Sequence, residues 1–147
     1  MALKVFKYRL YPSKAQEKHL LRVLECARNL YNMALAERKF AWQVERRNIS
    51  NADLEQLAKH YRAVFPYAQQ MFSQTAQSVV KQVDLSFQAF FRRVKAGEKP
   101  GYPRFKGRNR FNSFEFKQYG VGAKIDGRRL RLFGIGRVPV RWHRPLE

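Results

Sequence analysis

The sequence predicts an α+β fold: an N-terminal strand, an insert of three to four helices, then an antiparallel β region. Three observations predict it. Apolar residues recur at helical spacing between about residues 14 and 97. Beyond Gly97 that period disappears, and glycine, proline and aromatic residues punctuate short alternating runs. A short alternating segment, residues 3 to 11, precedes the first helical stretch. With 147 residues, 45% of them hydrophobic and 14% aromatic, the chain can bury one core despite a mean hydropathy of −0.58.

In chain order, residues 3 to 11 place Leu3, Val5 and Lys7 on one face of a strand and Lys4, Phe6, Tyr8 and Leu10 on the other, and Tyr11-Pro12 ends it. Ser13 with Gln16 has the spacing of a capping box, in which hydroxyl and amide satisfy each other's backbone donors. Leu20, Leu24, Ala27, Tyr31 and Ala34 then keep helical spacing, and Leu21, Leu35 and Trp42 widen the stripe, so helix is expected from about 14 to 46. Whether it is one helix or two joined by a bend near Arg28-Asn29 is left open by the pattern. Ser50 with Asp53 repeats the capping signature and starts a second helix, which stops at Phe65-Pro66 because a residue before proline avoids helical geometry. A third helix runs from about Ser73 to Gly97 on Ala76, Val79, Val80, Val83, Phe87, Phe90, Phe91 and Val94. Three later runs alternate: Phe114 to Tyr119, Leu130 to Leu132, and Val138 to Trp142. Asp126-Gly127 fits a two-residue hairpin turn. These elements give the expected organisation: 1–11, first strand of the β domain; 12–97, helical domain; 98–147, a basic loop and the remaining strands.

Charge narrows the function. Thirty Lys and Arg against eleven Asp and Glu leave a net charge of +19, a self-repulsion that a polyanion relieves. Residues 86 to 147 carry 16 basic and 4 acidic side chains, residues 1 to 85 carry 14 and 7, so the second half is the stronger footprint for nucleic acid. Arg92, Arg93, Lys95, Lys99, Arg104, Lys106, Arg108 and Arg110 interleave with Tyr102, Phe105 and Phe111, a pattern in which cations meet phosphates while rings either stack on bases or anchor the loop in the core. Arg128, Arg129, Arg131, Arg137, Arg141 and Arg144 extend the stripe, and Lys4 and Arg9 join it from the first strand. The third helix adds a polar face of Gln74, Gln77, Lys81 and Gln88, where glutamine amides can pair with adenine edges in a major groove.

Catalysis, by contrast, finds little to work with. Asp53, Asp84 and Asp126 read as a helix cap, a polar helix position and a turn, and His19, His60 and His143 are scattered. Cys26 stands alone, which excludes an intrachain disulfide and a cysteine-rich zinc site within these residues and suits a small buried hydrophobe. No catalytic residue, cofactor or metal site is expected. No run of about 18 apolar residues could span a bilayer, and Met1-Ala2-Leu3-Lys4-Val5-Phe6-Lys7 has no signal-peptide character, so a cytoplasmic, nucleoid-associated protein with no membrane partner is expected.

Five segments carry a resemblance. Tyr8-Arg9-Leu10-Tyr11-Pro12, Cys26-Ala27-Arg28-Asn29-Leu30-Tyr31-Asn32, Phe90-Phe91-Arg92 and Gly101-Tyr102-Pro103-Arg104-Phe105-Lys106 resemble, in order, the N-terminal part of TnpB. TnpB is the RNA-guided DNA nuclease of insertion sequences, also described as an OrfB-type transposase. The ending Val140-Arg141-Trp142-His143-Arg144-Pro145-Leu146 resembles the same family. The resemblance implies a split wedge β-barrel with an inserted helical recognition (helix-turn-helix) domain, together holding the scaffold of a guide RNA and reading a short motif in target DNA. It implies that Asn51, Ser73, Gln74, Gln77 and Tyr119 lie where the family places motif-reading side chains. Family members continue into a RuvC nuclease domain with catalytic carboxylates and a zinc-binding cysteine cluster, neither of which occurs in these residues, and the last wedge strands are expected to be incomplete.

The leading expectation is therefore a module that binds DNA and structured guide RNA through a cationic face and does not itself cleave. Two alternatives stand beside it: one subunit of a split nuclease, with a separate RuvC-bearing polypeptide as partner, and a stand-alone helix-turn-helix regulator.

Overall fold

Three α-helices and one four-stranded antiparallel sheet make up the computed structural model, which describes residues 3–145. Met1, Ala2, Leu146 and Glu147 lie outside the described residues, among them the outermost positions of the two terminal motifs. Strand β1 is Arg9–Leu10, helix α1 Lys14–Glu45, α2 Asn51–Val64, α3 Ser73–Lys95, and strands β2, β3 and β4 are Ala123–Asp126, Arg129–Leu132 and Gly136–Arg141.

The first strand is shorter than its sequence suggests. Arg9 and Leu10 pair with Arg141 and Val140, where β4 ends, so the residues before Arg9 have no ladder to join and residues 3 to 8 form no strand. Leu3 and Val5 stand 100% and 89% exposed, which corrects the expected two-faced strand over 3–11. Tyr8 instead packs its ring on Trp142 and His143, at 5.0 and 4.9 Å between centroids, and donates its hydroxyl hydrogen to the Arg144 carbonyl.

Helix α1 is one unbroken element through Arg28-Asn29, 32 residues or about 48 Å long. Ser13 Oγ accepts from the Gln16 amide, and Gln16 Oε1 accepts from the Ser13 amide, closing the capping box. The helix ends where Arg46 turns left-handed at φ 52°, letting the Arg46 and Arg47 amides bond the carbonyls of Trp42 and Ala41. Helix α2 starts on the Ser50–Asp53 box and stops at Phe65, whose extended backbone is what the following Pro66 requires. A single turn of tighter helix at Ala68–Gln70 leads into α3.

The three helices bury their apolar faces on one another. Val23, Leu30, Tyr31 and Leu35 of α1 meet Leu54, Ala58 and Tyr61 of α2 and Val79, Val80, Val83 and Phe87 of α3, and Phe111 from the later loop joins this core. Cys26 is buried in it, and burial raises its thiol pKa above the ordinary range.

The sheet runs in the order β1-β4-β3-β2, with Leu130 opposite Val138 and Ile125 opposite Leu130. The hairpin turn lies one residue later than expected. Asp126 pairs with Arg129 as the last residue of β2, so the two-residue loop is Gly127-Arg128, with Gly127 at φ +61° supplying the left-handed first position. A second correction concerns Phe114 to Tyr119, which forms no strand. Phe114 and Phe116 are half-buried and the intervening residues exposed, so the alternation is real, but the segment lies along the helices. There the Thr75 hydroxyl bonds the Glu115 carbonyl in place of a neighbouring strand.

Further contacts seat the sheet on the helices. Gln16 Nε2 donates to the Arg137 carbonyl at 2.7 Å, and Phe72 packs on Phe133 at 5.1 Å. Gly122 lies against the Phe72 ring and the Lys117 carbonyl so closely that a β-carbon there would collide with both. The sheet is thereby fixed near the N-terminal ends of α1 and α3.

Candidate nucleic-acid interface

Three of the segments that carry the resemblance, 26–32, 90–92 and 101–106, meet in space, while 8–12 pairs with the C-terminal one in the sheet. Asn32, on α1, receives the Lys106 amide on Oδ1 and donates from Nδ2 to the Lys106 carbonyl, both at 2.9 Å, so one side chain holds the backbone of the 98–110 loop at both polar atoms. Arg28, one turn earlier, is fixed by an ion pair with Glu25 and reaches the same carbonyl at 3.4 Å. The hydrogen bond from Arg28 lowers the Glu25 carboxyl below its ordinary pKa, against the opposing effect of burial. Tyr102 presents its ring to Phe87 and Phe90 edge-on, at 5.7 and 5.2 Å. Lys39 lies over the Tyr102 and Phe105 rings at 5.0 and 4.6 Å, and burial lowers its pKa. Of the two roles open to the loop aromatics, Tyr102 and the buried Phe111 thus take the anchoring one.

Held in this way, the loop and the end of α3 enclose a groove of about 350 Å³ lined by Arg93, Arg104, Lys106 and Arg110, with Tyr31, Ser86 and Phe105 among its other walls. Four cations around one groove suit phosphate oxygens, since guanidinium and ammonium donors give charge-assisted bonds there. The four differ in freedom. Lys106 is half-buried with its ammonium 4.6 Å above the Tyr31 ring and 5.7 Å from that of Phe111, whereas Arg93, Arg104 and Arg110 are exposed. Arg92, Lys95 and Lys99 are exposed beside the groove, and Arg108 points to Glu25 at 4.0 Å.

The candidate base-reading residues do not converge on one site. Ser73 and Gln77 line a second groove, of about 340 Å³, between α2 and α3, together with Glu55, Gln56, Lys59 and Arg62. Gln74 is half-buried next to it, while Lys81 and Gln88 are exposed further along α3, with Gln88 donating to Asp84 at 2.7 Å. Asn51 turns its amide back to Glu55 at 3.3 Å as the first residue of α2. Tyr119 lies in the β region, 70% exposed, where its hydroxyl accepts from the Ile125 amide. Arg128 lines a third cavity with Trp142, His143 and Arg144, and its carbonyl accepts from Trp142 Nε1 at 2.8 Å. Arg9 is exposed with its guanidinium 5.6 Å from the Tyr11 ring, and Lys4 is exposed.

Sequence reasoning named no role for Arg28, Asn32 or Lys39, which contact the basic loop and help set the positions of its cations. Arg28 and Asn32 were visible only as letters of a shared motif; nothing in helical periodicity distinguishes an asparagine that clamps a distant loop.

The acidic residues are engaged elsewhere. Asp53 caps α2 and is held below its ordinary pKa by the bonds from Ser50, Asp84 pairs with Arg38 at 2.8 Å, and Asp126 pairs with Arg137 at 2.8 Å. His19 bonds Gln70, and His143 packs against Tyr8 with its ring tilted by 46°. Among the described residues, no three His, Cys, Asp or Glu side chains gather as a metal site would require, and no helix is long and apolar enough to cross a membrane.

Residues 1–47 match a family described as a helix-turn-helix domain, of the OrfB type found in IS605 elements. The described part of that stretch folds as β1 and the uninterrupted α1, with the first helix-to-helix turn falling after Glu45. Over 145 residues the chain is 26% identical to a Streptomyces pristinaespiralis protein provisionally named an RNA-guided DNA endonuclease. The match covers 97% of this chain and 35% of that relative, so the chain spans about a third of its length.

Proposed function

Starting from the similarity of this chain to the N-terminal region of OrfB/TnpB-type proteins, we propose that it is a nucleic-acid-binding module that holds DNA and a structured guide RNA through their phosphates. One observation carries the reading: Arg93, Arg104, Lys106 and Arg110, distant in sequence from the α1 residues that position them, line a single groove whose loop wall is pinned by Asn32. A protein of net charge +19 that holds a cationic loop through part-buried hydrogen bonds is built to meet a polyanion. The similarity to an RNA-guided endonuclease favours guide RNA together with target DNA, and the groove between α2 and α3 supports a base-reading role for Ser73 and Gln77. The engagement of Asp53, Asp84 and Asp126 in a cap and ion pairs favours binding over cleavage as the role of these residues.

The test is the affinity of the full chain for duplex DNA and for structured RNA across a salt series. A phosphate-led complex loses affinity linearly in log–log form, with a slope steepening by about 0.7 to 0.9 for each phosphate neutralised. A slope near zero for both overturns the proposal. A preference of about a thousandfold or more for one DNA sequence, with no RNA binding, would instead indicate a stand-alone regulator.

A further inference from the structure

The C-terminal end of α1 forms a pocket that the phosphate-binding role does not use. It measures about 440 Å³ and is walled by Trp42, Phe87, Phe91 and Tyr102, with Arg47 and Asn48 at its polar side. Trp42 is 45% and Phe91 52% exposed, a large area of ring to leave in water at the surface of a folded chain. Phe87 and Phe91 are fixed by their neighbours. Arg38, which also lines the pocket, lies 4.4 Å above Phe87 while paired with Asp84, Tyr102 meets Phe87 edge-on, and Phe91 packs on Phe90 at 5.4 Å.

We infer that this pocket seats one unpaired nucleobase of a bound strand, stacked on Trp42 and Phe91, with Asn48 at the base edge and Arg47 at the adjoining phosphate. Size is the first argument: a cavity of this volume, mostly aromatic with a few polar groups, has the character of a site for a small planar ligand. Free polar capacity is the second. Asn48 is exposed and its amide has no hydrogen-bond partner among the described residues, so it offers the paired donor and acceptor that match an adenine edge. Arg47 bonds Glu45 through Nε at 3.0 Å and keeps its terminal nitrogens for an anionic oxygen.

Charge is the third argument, and it selects the occupant. Arg46 sits 5.6 Å from the Trp42 ring, and the end of α3 that carries Phe91 also carries the exposed Arg92, Arg93 and Lys95. A cationic rim does nothing for an apolar peptide and repels a second copy of a +19 chain, whereas it complements a base that arrives on a phosphate backbone. The inference rests on the nucleic-acid reading for its ligand and adds that the strand is unpaired where it meets α1.

The probe is a short single-stranded oligonucleotide carrying one 2-aminopurine, compared with the same strand in a duplex, bound to the full chain. The expected result is quenching of the 2-aminopurine in the single strand on binding, and a Trp42→Ala variant that binds the single strand about 5- to 150-fold more weakly with duplex affinity unchanged. Asn48→Ala removes an exposed side chain, so the fold survives it, and is expected to lower the preference for adenine-bearing over pyrimidine-bearing strands by about 5-fold or more. Circular dichroism confirms that each variant is folded. Loss of duplex and single-strand affinity in equal measure, absence of quenching in a bound strand, or loss of self-association in Trp42→Ala with strand binding intact would each overturn the inference while leaving phosphate binding standing. Failure of the unaltered protein to bind either probe overturns the nucleic-acid reading and this inference together.

Discussion

Replacing Asn32 with alanine is expected to release the basic loop from α1. The side chain makes two hydrogen bonds of 2.9 Å to one residue 74 positions away, and both lie in a partly buried setting. A hydrogen bond of this kind contributes about 1 kcal/mol net, and a buried group left without a partner costs about 1 to 3 kcal/mol. Arg28 reaches the Lys106 carbonyl at 3.4 Å and retains part of its bonding, so the amide is the group most fully orphaned. The orphaned amide and the second, partly retained bond together give about 2 to 4 kcal/mol. In a domain of this size each kcal/mol moves the melting temperature by about 2 to 4 °C, so Tm should fall by about 4 to 16 °C. Chemical denaturation gives the free energy directly, with an unchanged m-value marking an unaltered extent of unfolding. Limited trypsin digestion locates the effect, since cleavage after Arg104 and Lys106 should accelerate before the helices are cut. A loss below about 0.5 kcal/mol with unchanged proteolysis would refute the clamp, because surface substitutions alone stay within that range.

Three further outcomes follow from the same geometry. Gly122→Ala places a β-carbon against the Lys117 carbonyl and 2.8 Å from the Phe72 ring, so the sheet must shift on α3; a loss of about 1 to 3 kcal/mol in thermal unfolding is expected, and no loss would mean the segment yields freely. Thr75→Val keeps the shape of a fully buried side chain but leaves the Glu115 carbonyl without its donor, which should cost about 1 to 3 kcal/mol by urea denaturation. Burial, with Cys26 alongside, pushes the Tyr61 phenol up to about 12, so the folded state holds a proton that the unfolded chain releases near pH 10. Stability is then full below about pH 10 and falls by up to about 3 kcal/mol as pH rises towards 12; Tyr61→Phe should flatten that decline in urea midpoints measured across the range.

Helices were legible because their signals are local. The Ser13–Gln16 and Ser50–Asp53 boxes, the Phe65-Pro66 stop and the apolar stripes all act within a few residues of the backbone they direct, and each bounds an element as observed. The unbroken run of α1 past Arg28-Asn29 was not readable, because the tertiary bonds of Arg28 and Asn32 lie on residues about 75 positions away. Strands fared worse for a related reason. Leu3 to Tyr8 and Phe114 to Tyr119 alternate as strands do, yet alternation describes only which side is buried; a ladder also needs a partner edge, and β4 ends at Arg141 while Glu115 is taken by Thr75. The hairpin slipped by one residue because Asp-Gly and Gly-Arg both suit tight turns, and the pairing of Asp126 with Arg129 decided between them.

For the site, composition identified the stretch from Arg92 to Arg110 as cationic but could not say which cations share a groove. Arg93, Arg104, Lys106 and Arg110 come together only because Asn32 and the Phe87–Tyr102 contact fold the loop back on α1 and α3. Lys106 illustrates the difference: it reads as one more basic residue, yet its ammonium is seated on the rings of Tyr31 and Phe111.

Whether the cations act as an organised groove or as diffuse charge is decided by comparing two triple variants of equal charge change. One replaces Arg93, Arg104 and Arg110 with glutamine, and the other replaces the exposed Lys14, Lys18 and Lys124. Affinity for one duplex is followed across a salt series for both. The groove variant should lose about 2.7 units of log–log slope and the control markedly less, since only cations that touch phosphates release counterions. Equal changes in the two variants, or no change in the first, would contradict the account.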